Sequence, residues 1–97
     1  MAVMSKYPIT RRDTPAVVIL ALLDRYEKDC DVNTLHAEMD QEGVAYPSIE
    51  SLRTFLHRLR KRDLIGVNYT SGHITAWYHI RPEGRRLLKR WRKLIAS

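Results

Sequence analysis

From Ala16 to about Lys28, Ile19, Leu22, Leu23 and Tyr26 recur at helical spacing, and Val18 and Leu20 widen the stripe. This predicts a first helix buried on more than one side. Thr14 and Pro15 precede it, a capping residue followed by the residue suited to the first helical position. Residues 1–13 are polar and irregular, and Pro8 breaks any early helix. Asp31-Val32-Asn33 interrupts the pattern, and Asn33 can cap a short second helix over Thr34–Glu42 with Leu35 and Met39 inward. Gly43 supplies a left-handed stop. Beyond Val44-Ala45-Tyr46-Pro47, Ser48 can cap a third helix running to about Arg62. Its apolar positions, Ile49, Leu52, Phe55, Leu56 and Leu59, follow a helical period.

The period then changes to two. Ile65, Val67 and Tyr69 alternate with Gly66, Asn68 and Thr70, and Ile74, Ala76, Tyr78 and Ile80 alternate with Thr75, Trp77 and His79. Ser71-Gly72 suits a tight turn between them. A two-residue loop there would pair Tyr69 with Ile74, Val67 with Ala76 and Ile65 with Tyr78, with every apolar residue on one face. A last helix starts at Pro82, with Leu87, Leu88, Trp91, Leu94 and Ile95 as its stripe. The fold class is therefore mainly α with a small β-hairpin (α+β), in the order helix-helix-helix-hairpin-helix. A short Gly- and Pro-containing turn joins the second and third helices, and the hairpin follows, so the layout is a helix-turn-helix with a two-stranded wing.

Length and composition add little that conflicts. The chain of 97 residues is read as one domain. It divides into an arm over 1–13, a helix-turn-helix with its wing over 14–80, and a C-terminal helix over 82–96. The longest apolar run, Ala16–Leu23, has eight residues and ends at Asp24, well short of the ~20 needed to span a bilayer. Lys6, Arg11, Arg12 and Asp13 interrupt the amino-terminal region before any secretory apolar core. A single cysteine, Cys30, cannot form an internal disulfide, and a cytoplasmic location is expected.

Charge changes the picture more. The net charge of +6 is unevenly spread: residues 1–50 carry five Lys/Arg and nine Asp/Glu, whereas residues 51–97 carry twelve and two. A folded domain with halves of −4 and +10 is a candidate for a polyanion partner, the plainer alternative being a solvated basic surface.

Two stretches resemble known proteins. Phe55-Leu56-His57-Arg58-Leu59-Arg60-Lys61-Arg62-Asp63-Leu64-Ile65 looks like a recognition helix entering a wing strand. Tyr78-His79-Ile80-Arg81-Pro82-Glu83-Gly84-Arg85-Arg86-Leu87-Leu88 looks like a second wing strand passing into the final helix. From residue 48 onward the chain resembles bacterial and phage winged helix-turn-helix transcriptional regulators, especially the PadR-like and MarR-like families. It departs from their pattern at Asp63, where Gly is usual, and at Arg81, where a capping Thr is usual. The resemblance implies a double-stranded DNA partner and a homodimer joined through the last helix. Trp91, Leu94 and Ile95 are the dimerisation candidates; the alternative is that this stripe caps the core of one chain.

On a helical wheel with Leu52, Leu56 and Leu59 inward, Glu50, Thr54, His57 and Lys61 point away, flanked by Ser51, Arg53 and Arg58. In a major groove Arg can bond guanine, Glu can accept from cytosine, and Ser and Thr can bond base edges or phosphate. Arg60 and Lys61, farther along, suit phosphates. The candidate DNA-contacting residues are thus Ser48, Glu50, Ser51, Arg53, Thr54, His57, Arg58, Arg60 and Lys61, with Ser71 and His73 at the wing tip. A solvated helix face and a bland turn are the plainer readings of the same residues. The four histidines and Cys30 lack zinc-site spacing, and no phosphate loop, nucleophile elbow or carboxylate pair appears. No metal, cofactor, small-molecule ligand, membrane association or enzymatic activity is expected. The function expected is a sequence-specific transcriptional regulator with residues 48–62 as recognition helix. The alternatives are a winged-helix module that binds another protein, such as a phage-encoded modulator of a host factor, or a non-specific architectural or replication accessory protein.

Overall fold

Helix α1 (Thr14–Arg25) forms the centre of the core, as its double stripe requires: Ile19 and Leu20 are fully buried and Val17, Leu22 and Leu23 nearly so. The computed structural model describes residues 14–26, 29–44, 46–70, 72 and 75–96. Among these, α1 is followed by α2 (Val32–Gln41), α3 (Ile49–Lys61), β1 (Ile65–Tyr69), β2 (Ala76–Ile80) and α4 (Pro82–Ala96). The class is the expected one, mainly helical with one antiparallel hairpin. The arm over 1–13 lies outside the described residues, and no described helix is long and apolar enough to cross a membrane.

Three local expectations are corrected. First, α1 ends at Arg25 rather than near Lys28, which lies outside the described residues. The chain leaves the helix to reach the hairpin, where the Cys30 N–H donates to the Tyr78 carbonyl at 2.9 Å and the Tyr78 N–H to the Cys30 carbonyl at 2.8 Å. A one-residue bridge thus attaches the α1–α2 connection to the outer edge of β2. Cys30 is buried there, and burial pushes its thiol up to about 11. Second, α2 is capped by Asp31, not Asn33: the Asp31 Oδ1 accepts the Thr34 N–H at 3.0 Å. That bond holds the Asp31 carboxyl below its ordinary range and starts the helix early enough to bury Val32 with Leu35 and Met39.

Third, the hairpin register differs by two residues. Ile65 pairs with Ile80, Val67 with Tyr78 and Tyr69 with Ala76. A slip of two returns every side chain to the same face, so alternation cannot choose between the two registers. Packing and the loop choose. The adopted register sets Ile65 opposite Ile80 at the base of the wing, both buried. At the other end the Thr70 N–H donates to the Thr75 carbonyl at 3.0 Å and the Thr75 N–H to the Thr70 Oγ1 at 3.1 Å. Gly72 occupies the loop beyond with φ +84°.

α3 begins as expected. Ser48 Oγ accepts the Ser51 N–H at 3.1 Å, and Leu52, Leu56 and Leu59 are buried. Its C-terminus explains the departure at Asp63. Asp63 adopts φ +64°, its N–H donates to the Arg60 carbonyl at 2.9 Å, and the Leu64 N–H donates to the Leu59 carbonyl at 3.1 Å. This is a Schellman stop with aspartate in the left-handed position that glycine usually takes. Arg81 Nε lies 3.6 Å from Asp63 Oδ1, which ties the two departures from the family pattern to each other.

Candidate nucleic-acid interface

At 100° per residue the exposed side of α3 has an order. Arg53 and Arg60, seven apart, form the edge nearest the wing; Glu50, His57, Lys61 and Thr54 form the crest; Arg58 and Ser51 form the edge toward Tyr46. Electrostatics agree with this order. Burial raises the Tyr78 phenol above its ordinary range, with the Tyr69 phenol adding to the rise and the Arg53 and Arg60 charges opposing it. On the opposite edge, burial raises the Tyr46 phenol and Arg58 opposes it. Arg60 therefore shares an edge with Arg53 rather than standing apart beyond the reading positions.

The candidate side chains differ in their commitments. Ser48 is spent as the cap, and its Oγ is also 2.9 Å from the Ser51 Oγ. Thr54 Oγ1 donates to the Glu50 carbonyl at 3.2 Å, leaving its oxygen free only to accept. Arg53 Nη1 lies 3.7 Å from Glu50 Oε1, but both groups are well exposed. Such a pair is worth less than about 1 kcal/mol and yields easily to a better anion. His57, Arg58, Arg60 and Lys61 are exposed and make no hydrogen bond or ion pair among the described residues. Ser71 and His73 lie outside the described residues.

Two contacts hold Tyr46, which precedes α3. His36 Nε2 donates to the Tyr46 carbonyl at 3.0 Å, and the Tyr46 and Phe55 rings meet with centroids 5.7 Å apart. On the other side, Asp31, Asn33, Arg53, Thr75, Ala76 and Tyr78 line a cleft of about 110 Å³ between α2, α3 and the wing. The sequence gives no sign of this cleft, because its walls depend on the hairpin register and the Cys30 bridge. Among the described residues no three His, Cys, Asp or Glu side chains gather as a cation site.

The basic residues of α4 are less available than their number suggests. Arg85 and Arg92 each lie 3.5 Å from the Asp24 carboxylate of α1, and Arg86 pairs with Glu83. Trp91 is half-buried against the core; the side chains of Leu94 and Ile95 lie outside the described residues.

Comparison with solved structures settles the architecture. A PadR-like transcriptional regulator from Bacillus cereus superposes with a TM-score of 0.68 at 20% identity, over 84% of this chain and 81% of that one. The fold is a winged helix. A PadR family regulator from Clostridium difficile gives a TM-score of 0.62 at 23% identity, over 82% and 88% of the two chains. The regulator BpsR from Bordetella bronchiseptica, whose DNA binding is regulated by 6-hydroxynicotinic acid, gives 0.65 at 16% identity, over 97% of this winged-helix chain and 65% of that one. No family model and no curated protein matches the sequence.

Proposed function

We propose that this winged-helix chain is a transcriptional regulator that binds double-stranded DNA sequence-specifically, with α3 as its recognition helix and residues 1–97 acting as one domain. The observation that carries the reading is the crest of α3. Its fully buried positions are Leu52, Leu56 and Leu59, and its exposed side offers Arg53, His57, Arg58, Arg60 and Lys61 beside a wing. The regulators that share the fold, one of them a DNA binder, support the same reading. His57 and Thr54 favour base reading over pure phosphate binding, which would require only Lys and Arg. The chemistry is recognition, not catalysis. We further propose a homodimer through α4, which would set two recognition helices about one DNA turn apart.

Fluorescence anisotropy with a selected and a scrambled duplex tests the reading. Binding should weaken steeply with salt, with a log–log slope near −0.9 per phosphate contacted. Affinity independent of salt would refute an electrostatic DNA surface and bring the protein-binding module forward. A second experiment separates reading from positioning. Arg53→Ala or His57→Ala should cost roughly 1–3 kcal/mol on the selected duplex and much less on the scrambled one. Lys61→Ala should weaken both alike and lower the salt slope by about one. Equal losses on both duplexes for Arg53 and His57 would mean that α3 does not read sequence.

A further inference from the structure

The wing has a second face. The register that turns Val67 and Tyr78 one way turns Gly66, Asn68 and His79 the other. The His79 ring lies across Gly66, where an added Cβ would overlap its Nε2. Its other nitrogen, Nδ1, is buried without a hydrogen bond, 3.7 Å from Asp29 Oδ2 in the α1–α2 connection. A buried polar atom left so is uncommon and costly. The same Asp29 oxygen accepts an Asn68 Nδ2 hydrogen at 3.0 Å. Among the described residues Asp29 is thus engaged through one oxygen, and its other is left to accept from a ligand.

Asp29, Asn68 and His79 line a pocket of about 260 Å³ together with Arg85 of α4 and the apolar Leu23 and Ile80. Arg85 meets Asp24 through Nε at 3.5 Å, and Asp24 also meets Arg92. The Arg85 side chain is well exposed, so that pair is weak and its guanidinium can still hold an acid. A space this small takes one compact molecule, which meets both charges at once. A simple anion would gain Arg85 and be repelled by Asp29; a simple cation would meet the reverse. A zwitterion satisfies both. We propose that this pocket binds a small zwitterion, an α-amino acid with an apolar side chain. Its carboxylate would sit on Arg85, its ammonium on Asp29 and its side chain over Leu23 and Ile80. The volume falls just below the range of about 300–1,000 Å³ typical of larger ligands, as a molecule of this size requires. An occupant would touch both wing strands and α4 together. No linear pattern marks the site, because its lining comes from α1, the connection after it, the hairpin and α4.

The proposal does not rest on DNA binding and is tested without DNA, by calorimetric titration of the full chain. The probes are L-leucine, 4-methylpentanoate, which lacks the ammonium, and 3-methylbutylamine, which lacks the carboxylate. L-Leucine should bind with a Kd of about 1 mM or tighter, and each truncated probe about tenfold more weakly or worse. Asp29→Asn and Arg85→Gln should each weaken L-leucine by about tenfold or more. Arg92→Gln is the control: it removes the other partner of Asp24 but does not line the pocket, so it should bind L-leucine like the wild type. No heat from L-leucine at about 10 mM would overturn the proposal. So would 4-methylpentanoate binding as tightly as L-leucine, since Asp29 would then hold no ammonium. Equal losses for Arg92→Gln and Arg85→Gln would also overturn it, because Arg85 would then act only by holding α4 to α1. The three probes on the wild type decide the matter even where a variant fails to fold.

Discussion

Replacing Gly84 by alanine is expected to destabilise the fold by about 2–3 kcal/mol, although alanine is the better helix former. Gly84 lies in the first turn of α4, and a Cβ built there overlaps the Leu64 carbonyl oxygen. That oxygen cannot retreat, because it accepts the Arg81 N–H at 3.1 Å and so joins the start of β1 to the end of β2. The added atom would also press on Ile80 Cγ1 at 2.9 Å and Leu20 Cδ2 at 3.1 Å. The gain in helix propensity is about 1 kcal/mol, and displacement of a packed backbone outweighs it. Gly43 supplies the control. It has φ +81°, and an added Cβ would meet no atom within 4 Å. Gly43→Ala should therefore cost only about 1 kcal/mol, from backbone strain alone. Urea denaturation of the two variants distinguishes the causes. Equal losses would show that close approach at Gly84 is not what holds α4.

The second large effect concerns assembly. Trp91→Ala combined with Leu94→Glu should give a monomer whose affinity for its DNA site falls by about a hundredfold or more, because two linked recognition helices lose their mutual effective concentration. Leu94→Glu alone should do most of this. Trp91 also packs half-buried on the core, so its removal carries a folding cost that the single variant avoids. Sedimentation reads the assembly and anisotropy reads the affinity. A wild type already monomeric at micromolar concentration would end the dimer proposal, while one-site DNA binding could persist.

Gly84 also shows how far the linear pattern reaches. The run from Tyr78 to Leu88 is the more specific of the two likenesses to the PadR-like and MarR-like regulators, and its glycine stands where only a residue without a side chain fits against Leu64. Asp63 is the opposite case. It departs from that pattern, yet the left-handed stop forms around it and its carboxylate gains Arg81 as a neighbour. Along α3 the sequence order suggests that Arg53 reads and Arg60 only positions. The helix places both on one edge, facing Tyr78.

Period and caps alone determined the element order, the buried stripe of α3 and its Ser48 start, because these depend on neighbours three or four residues away. The alternation of the wing determined which face of each strand turns inward. It left the register open by two, since a shift of two residues preserves that alternation. Only the tertiary structure decided between the registers, through the burial of Ile65 against Ile80 and the closure of Thr70 on Thr75. Asp31 and Asn33 are both competent caps by residue type, and the bridge at Cys30 sets the chain so that Asp31 takes the position. The Cys30–Tyr78 bridge lies further still from the linear pattern. It depends on residues far apart in the chain whose meeting is fixed by packing, and no local spacing records it.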